Sequence, residues 1–251
     1  MATYIFTGKV MPERASVNIS ASSFHLEAKD AGISFDAIVS IGTSQVSVVL
    51  NTETANADVS TWKNYVEDSV RTLVDAYGYL SGRGYDIEIT SVVEPNGKQI
   101  VFGVGIPELE EAQRERPLAF HEILEVVNSS QHLRRALGDL REAIRSSLDT
   151  GFFCYRAIES IRQSFKKAED GDKDGPSWER LRNALRIDRS WIERIQAFAV
   201  PQRHGETPYM SGEDRLLAMQ RAWKLIDRFC IYAHKGFMSL DESEFEILKE
   251  N

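Results

Sequence analysis

Tyr85-Asp-Ile-Glu-Ile-Thr-Ser-Val-Val-Glu-Pro-Asn-Gly97 is the stretch on which the reading of the fold turns. Tyr85, Ile87 and Ile89 alternate with Asp86, Glu88 and Thr90, a period of two that suits a half-buried strand. Pro95-Asn-Gly97 then supplies the residues that a tight hairpin turn demands, and residues 99–106 read as the returning strand. Past Pro107 the period changes. From Pro117 onward apolar residues recur at three- and four-residue steps, so a β-rich first half gives way to a helical second half.

The same logic extends toward the N-terminus. Residues 4–10 alternate like a strand, Met11-Pro-Glu-Arg14 reads as a turn, and residues 15–21 read as a second strand with Val17 and Ile19 on one face. Residues 33–41 and 45–51, separated by Gly42-Thr-Ser44, form a predicted hairpin. One helix interrupts the strands: Trp62, Val66, Val70, Leu73, Val74 and Tyr77 share a face. Asp58 or Ser60 is its expected N-cap, and Ser81-Gly-Arg-Gly84 its end.

Toward the C-terminus the apolar spacing predicts helices over 118–127, from Leu133 to Leu148, and over 150–168. An acidic loop, residues 169–175, leads to a helix opened by Pro176 and holding Trp178, Leu181 and Leu185. Asp188 caps the next, which Pro201 is expected to end, and residues 202–209 read as an irregular loop. Ser211 or Glu213 begins the last, with Leu216, Met219, Trp223, Ile226, Phe229 and Cys230 on its apolar side. The predicted class is α+β: an N-terminal antiparallel β-sheet domain with one packed helix (1–107), a linker (108–117) whose residues 108–116 read as linker or frayed helix, an all-α helical-bundle domain (118–240) and an acidic tail (241–251).

Composition sets the outer bounds. With 42% hydrophobic and 27% charged residues the chain reads as globular, and its apolar runs are far shorter than the ~20 residues that span a bilayer. The first residues carry neither a basic nor an apolar signal region, and Cys154 and Cys230 sit among apolar neighbours as reduced thiols do. A cytoplasmic protein without membrane partners is the expectation. The net charge of −8 is unevenly spread: residues 1–117 carry 9 basic against 16 acidic side chains, residues 118–240 carry 20 against 17. The arginine-rich helical half therefore permits RNA or a nucleotide as partner, while solvated helix faces explain the same composition.

Motifs for metal or phosphate chemistry are incomplete. Asp170-Gly-Asp-Lys-Asp-Gly175 has the first half of an EF-hand loop, but Leu181 stands where the bidentate glutamate belongs. His121-Glu122 opens like a zinc-binding His-Glu-x-x-His helix, but the fourth residue on is Glu125. No Gly-rich phosphate loop or nucleophile elbow is present. Neither a metal nor a cofactor is expected. Arg203-His204-Gly205-Glu206 stands out instead: histidine serves as acid or base near neutral pH, and arginine holds phosphate. Its bland alternative is a polar loop in which His204 caps the preceding helix.

The order of helices between Leu118 and Lys235, the turn Gln202-Arg-His-Gly205 and the Trp223–Arg228 helix together resemble an HEPN-type domain of the Apea-like group, over about half the chain. That resemblance implies a helical bundle that pairs into homodimers, and in cleaving members a metal-independent ribonuclease of bacterial defence or toxin systems built on Arg-x(4–6)-His. Arg114 and Arg116 before His121, and Arg228 before His234, meet that spacing. Arg203 and His204 are the candidate site, with Arg228 and His234 as the alternative pair. Two functions follow as expectations. One is a binding or dimerising scaffold or sensor, whose β domain meets a protein partner. The other is an HEPN-like ribonuclease or nucleotide-binding effector.

Overall fold

A computed structural model of the chain describes residues 1–28, 32–54, 58–114, 116–206 and 210–250. It divides into two compact units, 1–104 and 105–251, each with its own core.

The first unit is a six-stranded antiparallel sheet: β1 (Ala2–Met11), β2 (Ile19–Ala28), β3 (Ile33–Gly42), β4 (Gln45–Thr52), β5 (Asp86–Val93) and β6 (Gln99–Val101), in spatial order β2-β3-β4-β1-β5-β6. Alternation decides which face is buried. Phe6 and Val10 on β1, Phe35 and Val39 on β3, Val48 and Leu50 on β4, and Ile87 and Ile89 on β5 all point to one side. Helix α1 (Val59–Ser81) covers that side with Trp62, Val66, Val70 and Val74, one residue per turn. Asp58 caps it by accepting from the Thr61 amide at 2.8 Å, and Gly82 ends it at φ 64°. At the β3–β4 turn, Thr43 and Ser44 take positive φ although neither is glycine. Fully buried Ser44 holds that conformation by bridging Val10 and Val17: its carbonyl accepts from the Val10 amide, and its own amide donates to the Val17 carbonyl, both at 2.8 Å.

The second unit is helical: α2 (Pro107–Gln113), α3 (Phe120–Ser129), α4 (Gln131–Arg145), α5 (Thr150–Gln163), α6 (Gly175–Leu185), α7 (Arg189–Arg203) and α8 (Gly212–His234). Its core is made by Leu133 and Leu140 of α4, Ile158 and Ile161 of α5, Leu181 and Leu185 of α6, Ile195 of α7, and Leu225 and Phe229 of α8. Helices α5 and α7 come close because Gly151 has no side chain: a Cβ there would sit 2.6 Å from that of Phe198.

An α+β protein with a sheet-and-helix part followed by a helical part is therefore what the chain forms. Several boundaries differ from expectation. The second strand starts at Ile19, not at residue 15, and the returning strand of the Asn-Gly hairpin stops at Val101. Pro201 does not end its helix, which runs on to Arg203. Of the two readings of residues 108–116, linker or frayed helix, the chain takes the helical one over α2, whose Leu109 is buried in the helical core. The expected acidic tail 241–251 is docked: its Leu248 is buried and bridges to Ile187, and Leu240 just before it is buried too. Thr207–Tyr209 of the expected loop, Glu115 and Asn251 lie outside the described residues.

Candidate functional site

The two sequence-nominated pairs have different surroundings. Arg203 ends α7 and forms an ion pair with Glu159 of α5, while its guanidinium lies over the ring of Tyr155, 5.2 Å from the centroid. Burial holds the Glu159 carboxyl above the usual range, against the pull of Arg203 and Arg162. Next door, His204 is exposed and its imidazole has no partner among the described residues. The side chain of Gln202 fastens this helix end: its amide donates to the Leu148 carbonyl and its oxygen accepts from the Phe152 amide at 2.8 Å.

Arg228 is buried and holds backbone. It donates to the carbonyls of Leu185 at 3.0 Å, Arg186 at 2.5 Å and Glu246 at 2.5 Å. Burial, with Arg186 nearby, lowers its pKa to about 10. His234 sits elsewhere, 3.4 Å from Glu122 of α3. Glu122 also accepts from the Ala119 amide at 2.7 Å. The structure gives Arg228 and His234 separate partners and does not bring them to one site. Among the other nominated residues, Arg116 pairs with Asp227 at 3.2 Å, whereas His121 is exposed. In the EF-hand-like loop, Asp170 engages Arg180 and the Lys167 amide, and Asp174 engages Arg162 and Lys166.

Arg203 leads to a feature that the sequence reading missed. Tyr155, under its guanidinium, stacks on Trp178 of α6 with centroids 6.2 Å apart and planes 22° from parallel. These rings belong to the wall of an open cleft of about 330 Å³ between α5, α6 and α7. Trp178 and Arg182, four apart, supply the α6 side; Arg189, Ile192, Glu193 and Gln196 supply the α7 side at helical spacing. Behind Trp178, buried Arg162 places its guanidinium 5.3 Å from the ring centroid and pairs with Asp174, leaving its Nε without an acceptor.

The polar groups of the cleft are unequally satisfied. Arg189 is tied to Glu193 at 2.7 Å. Half-buried Arg182 and Gln196 make no direct side-chain hydrogen bond or ion pair among the described residues, although the Arg182 charge helps to lower the Asp188 carboxyl pKa. Burial, with Glu159 adding to it, pushes the Tyr155 hydroxyl up to about 12, so it is a neutral donor at physiological pH. An aromatic wall, an unpaired guanidinium and a free carboxamide in one cleft can hold a planar, anionic ligand. The arginine-rich composition of the helical half was legible. That Tyr155 faces Trp178 was not, because 23 residues and a loop separate them in the chain.

Comparison with protein families gives two matches. Residues 4–102 match the N-terminal domain, and residues 120–234 the C-terminal domain, of a family described as a domain of unknown function (DUF8168). No curated protein and no solved structure matches the chain. The two matches lie one in each compact unit, follow the family's own order and together take in most of the chain; the chain belongs to the DUF8168 family.

Proposed function

We propose that this protein is a sensor or binding module whose helical unit takes a nucleotide-class ligand in the Tyr155–Trp178–Arg182 cleft. The observation that carries the reading is Arg182: its half-buried guanidinium lies beside a stacked aromatic pair, makes no direct hydrogen bond or ion pair among the described residues and feels Asp188 only through space. Arginines withdrawn from solvent ordinarily find a carboxylate or carbonyl, as buried Arg162 and Arg228 and half-buried Arg180 do here. Arg182 is the phosphate-binding group, Trp178 the stacking surface for the base, and Gln196 the group that reads its edge.

Binding is favoured over cleavage by the state of the nominated pair. Arg203 is occupied by Glu159 and Tyr155, and among the described residues no side chain bonds His204 to set its tautomer or accept its proton. In this reading the HEPN-like resemblance is to members that hold a ligand without cutting RNA. Calorimetric titration of the full chain with ATP, AMP and pyrophosphate tests it. ATP should bind, and pyrophosphate, which has nothing to stack, should bind more weakly. Arg182→Gln should weaken ATP about tenfold or more, the worth of one charge-assisted hydrogen bond. Equal binding by the Arg182→Gln and Trp178→Leu variants would place the ligand elsewhere.

A further inference from the structure

We propose that residues 236–250 are a docked strap that sets the geometry of the cleft, so that ligand in the cleft and strap on the helices stabilise one another. The proposal rests on the nucleotide-binding reading above and concerns how that site is controlled.

The connection runs through the turn between α6 and α7. Arg182 stands in the last turn of α6 and Arg189 opens α7, so the turn between them fixes how the two cleft arginines are spaced. That turn is irregular: Arg186 ends α6 in the left-handed region at φ 54°. Its polar backbone is completed by the strap. The amide of Leu240 donates to the Ala184 carbonyl at 2.9 Å, and that of Leu248 to the Arg186 carbonyl at 3.0 Å. The amide of Asp188 donates to the Leu248 carbonyl at 2.7 Å, and that of Glu250 to the Ser190 hydroxyl at 3.1 Å. With the strap gone, these groups at the ends of both helices lose their partners.

Side chains repeat the pattern. Arg186 donates to the Phe245 carbonyl at 2.7 Å and pairs with Glu242. Buried Arg221 pairs with Glu250 at 2.5 Å and also donates to the Trp191 carbonyl on α7 at 3.3 Å. Buried Arg228 spans the turn and the strap through its bonds to Leu185, Arg186 and Glu246. Against this dense polar attachment the apolar anchors are few, chiefly Leu240 and Leu248. The strap also lies past residue 234, where the match to the family's C-terminal domain stops. An element held mainly by ion pairs and single hydrogen bonds over the hinge of a binding cleft is suited to couple its own docking to ligand.

Coupling is reciprocal, so the unmodified protein tests it. Amide hydrogen exchange of the full chain is followed with and without saturating ATP. We expect the amides of Leu240, Leu248 and Asp188 to exchange about fivefold or more slowly with ATP, alongside those of the cleft helices. ATP protection of α6 and α7 that leaves the strap amides unchanged would overturn the strap proposal while leaving the cleft reading intact. No protection anywhere would remove the cleft reading and the strap proposal with it. Leu248→Asp supplies the converse measurement: its ATP affinity should fall about fivefold or more with helical circular dichroism retained. Unchanged affinity in that folded variant would overturn the proposal; should the variant unfold, the wild-type exchange result decides.

Discussion

The guanidinium of Arg203 lies over the ring of Tyr155, 5.2 Å from its centroid, and the same arginine is paired with Glu159. This contact ties the end of α7 to the aromatic wall of the cleft, whose other ring is Trp178. It gives Arg203 a positioning role that neighbouring His204 does not share.

Arg203→Ala should therefore cost about 1–2 kcal/mol at neutral pH, and His204→Ala no more than about 0.5 kcal/mol, in urea unfolding. The Arg203 effect depends on acidity. Its removal takes away a charge that lowers the Glu159 pKa, so a carboxyl already raised by burial rises further. A carboxyl with a raised folded pKa penalises the native state when ionised, and the penalty disappears as pH falls below the unfolded value of about 4.3. The difference between Arg203→Ala and wild type should shrink between pH 7 and pH 4. A gap that widens on acidification would contradict this assignment.

Arg228 and His234 should separate cleanly by stability. Arg228→Ala leaves the carbonyls of Leu185, Arg186 and Glu246 without their donor, and about 3 kcal/mol or more should be lost. His234→Ala removes only a partly exposed contact with Glu122 and should cost about 0.5 kcal/mol. Thermal unfolding of the two variants checks both. An Arg228→Ala protein as stable as wild type would mean that the strap and the α6 turn do not depend on this side chain.

Burial pushes the Cys154 thiol up, and it pushes that of Cys230 up to about 12. In the native protein both should resist a thiol reagent at pH 8 and react at once in denaturant. For an acid whose folded pKa is raised, the unfolded state loses its proton first. These thiols should therefore cost stability as pH climbs past the unfolded value of about 8.5. The urea midpoint should fall between pH 8 and pH 10, and Cys154→Ala with Cys230→Ala should flatten that fall. Rapid labelling of the folded chain would contradict the burial.

What the sequence made legible was the local part. The Pro95-Asn-Gly97 turn, the apolar face of α1 and the cap at Asp188 are written within a few residues and appear where the pattern put them. The structure selects Asp58 over Ser60 and Ser211 over Glu213 as the caps of α1 and α8. Pieces set by distant partners were not legible. Arg228 lies in an apolar helix stripe and looked like a candidate for chemistry, because nothing nearby shows that its acceptors come from residues 185, 186 and 246. The segment 241–250 read as an acidic tail because five acidic residues surround its single buried leucine, Leu248, whose bridge to Ile187 is a contact across 61 positions. The sequence leaves helix α2 open between linker and frayed helix, since a single buried residue, Leu109, is too little to set a period. The cleft was missed because its parts come from different helices: Trp178 was read only among the apolar residues of its own helix, and Tyr155 gains meaning only from Arg203 and Trp178 arriving from other helices.

The most direct measurement is where a nucleotide sits on the folded chain. A photoreactive adenine nucleotide, activated in the presence of the full-length protein and mapped by peptide mass, reports that position without a mutation. The cleft account predicts saturable labelling on the peptides that carry Tyr155 and Trp178, suppressed by excess ATP. Labelling confined to other peptides, or labelling that excess ATP does not suppress, would contradict it.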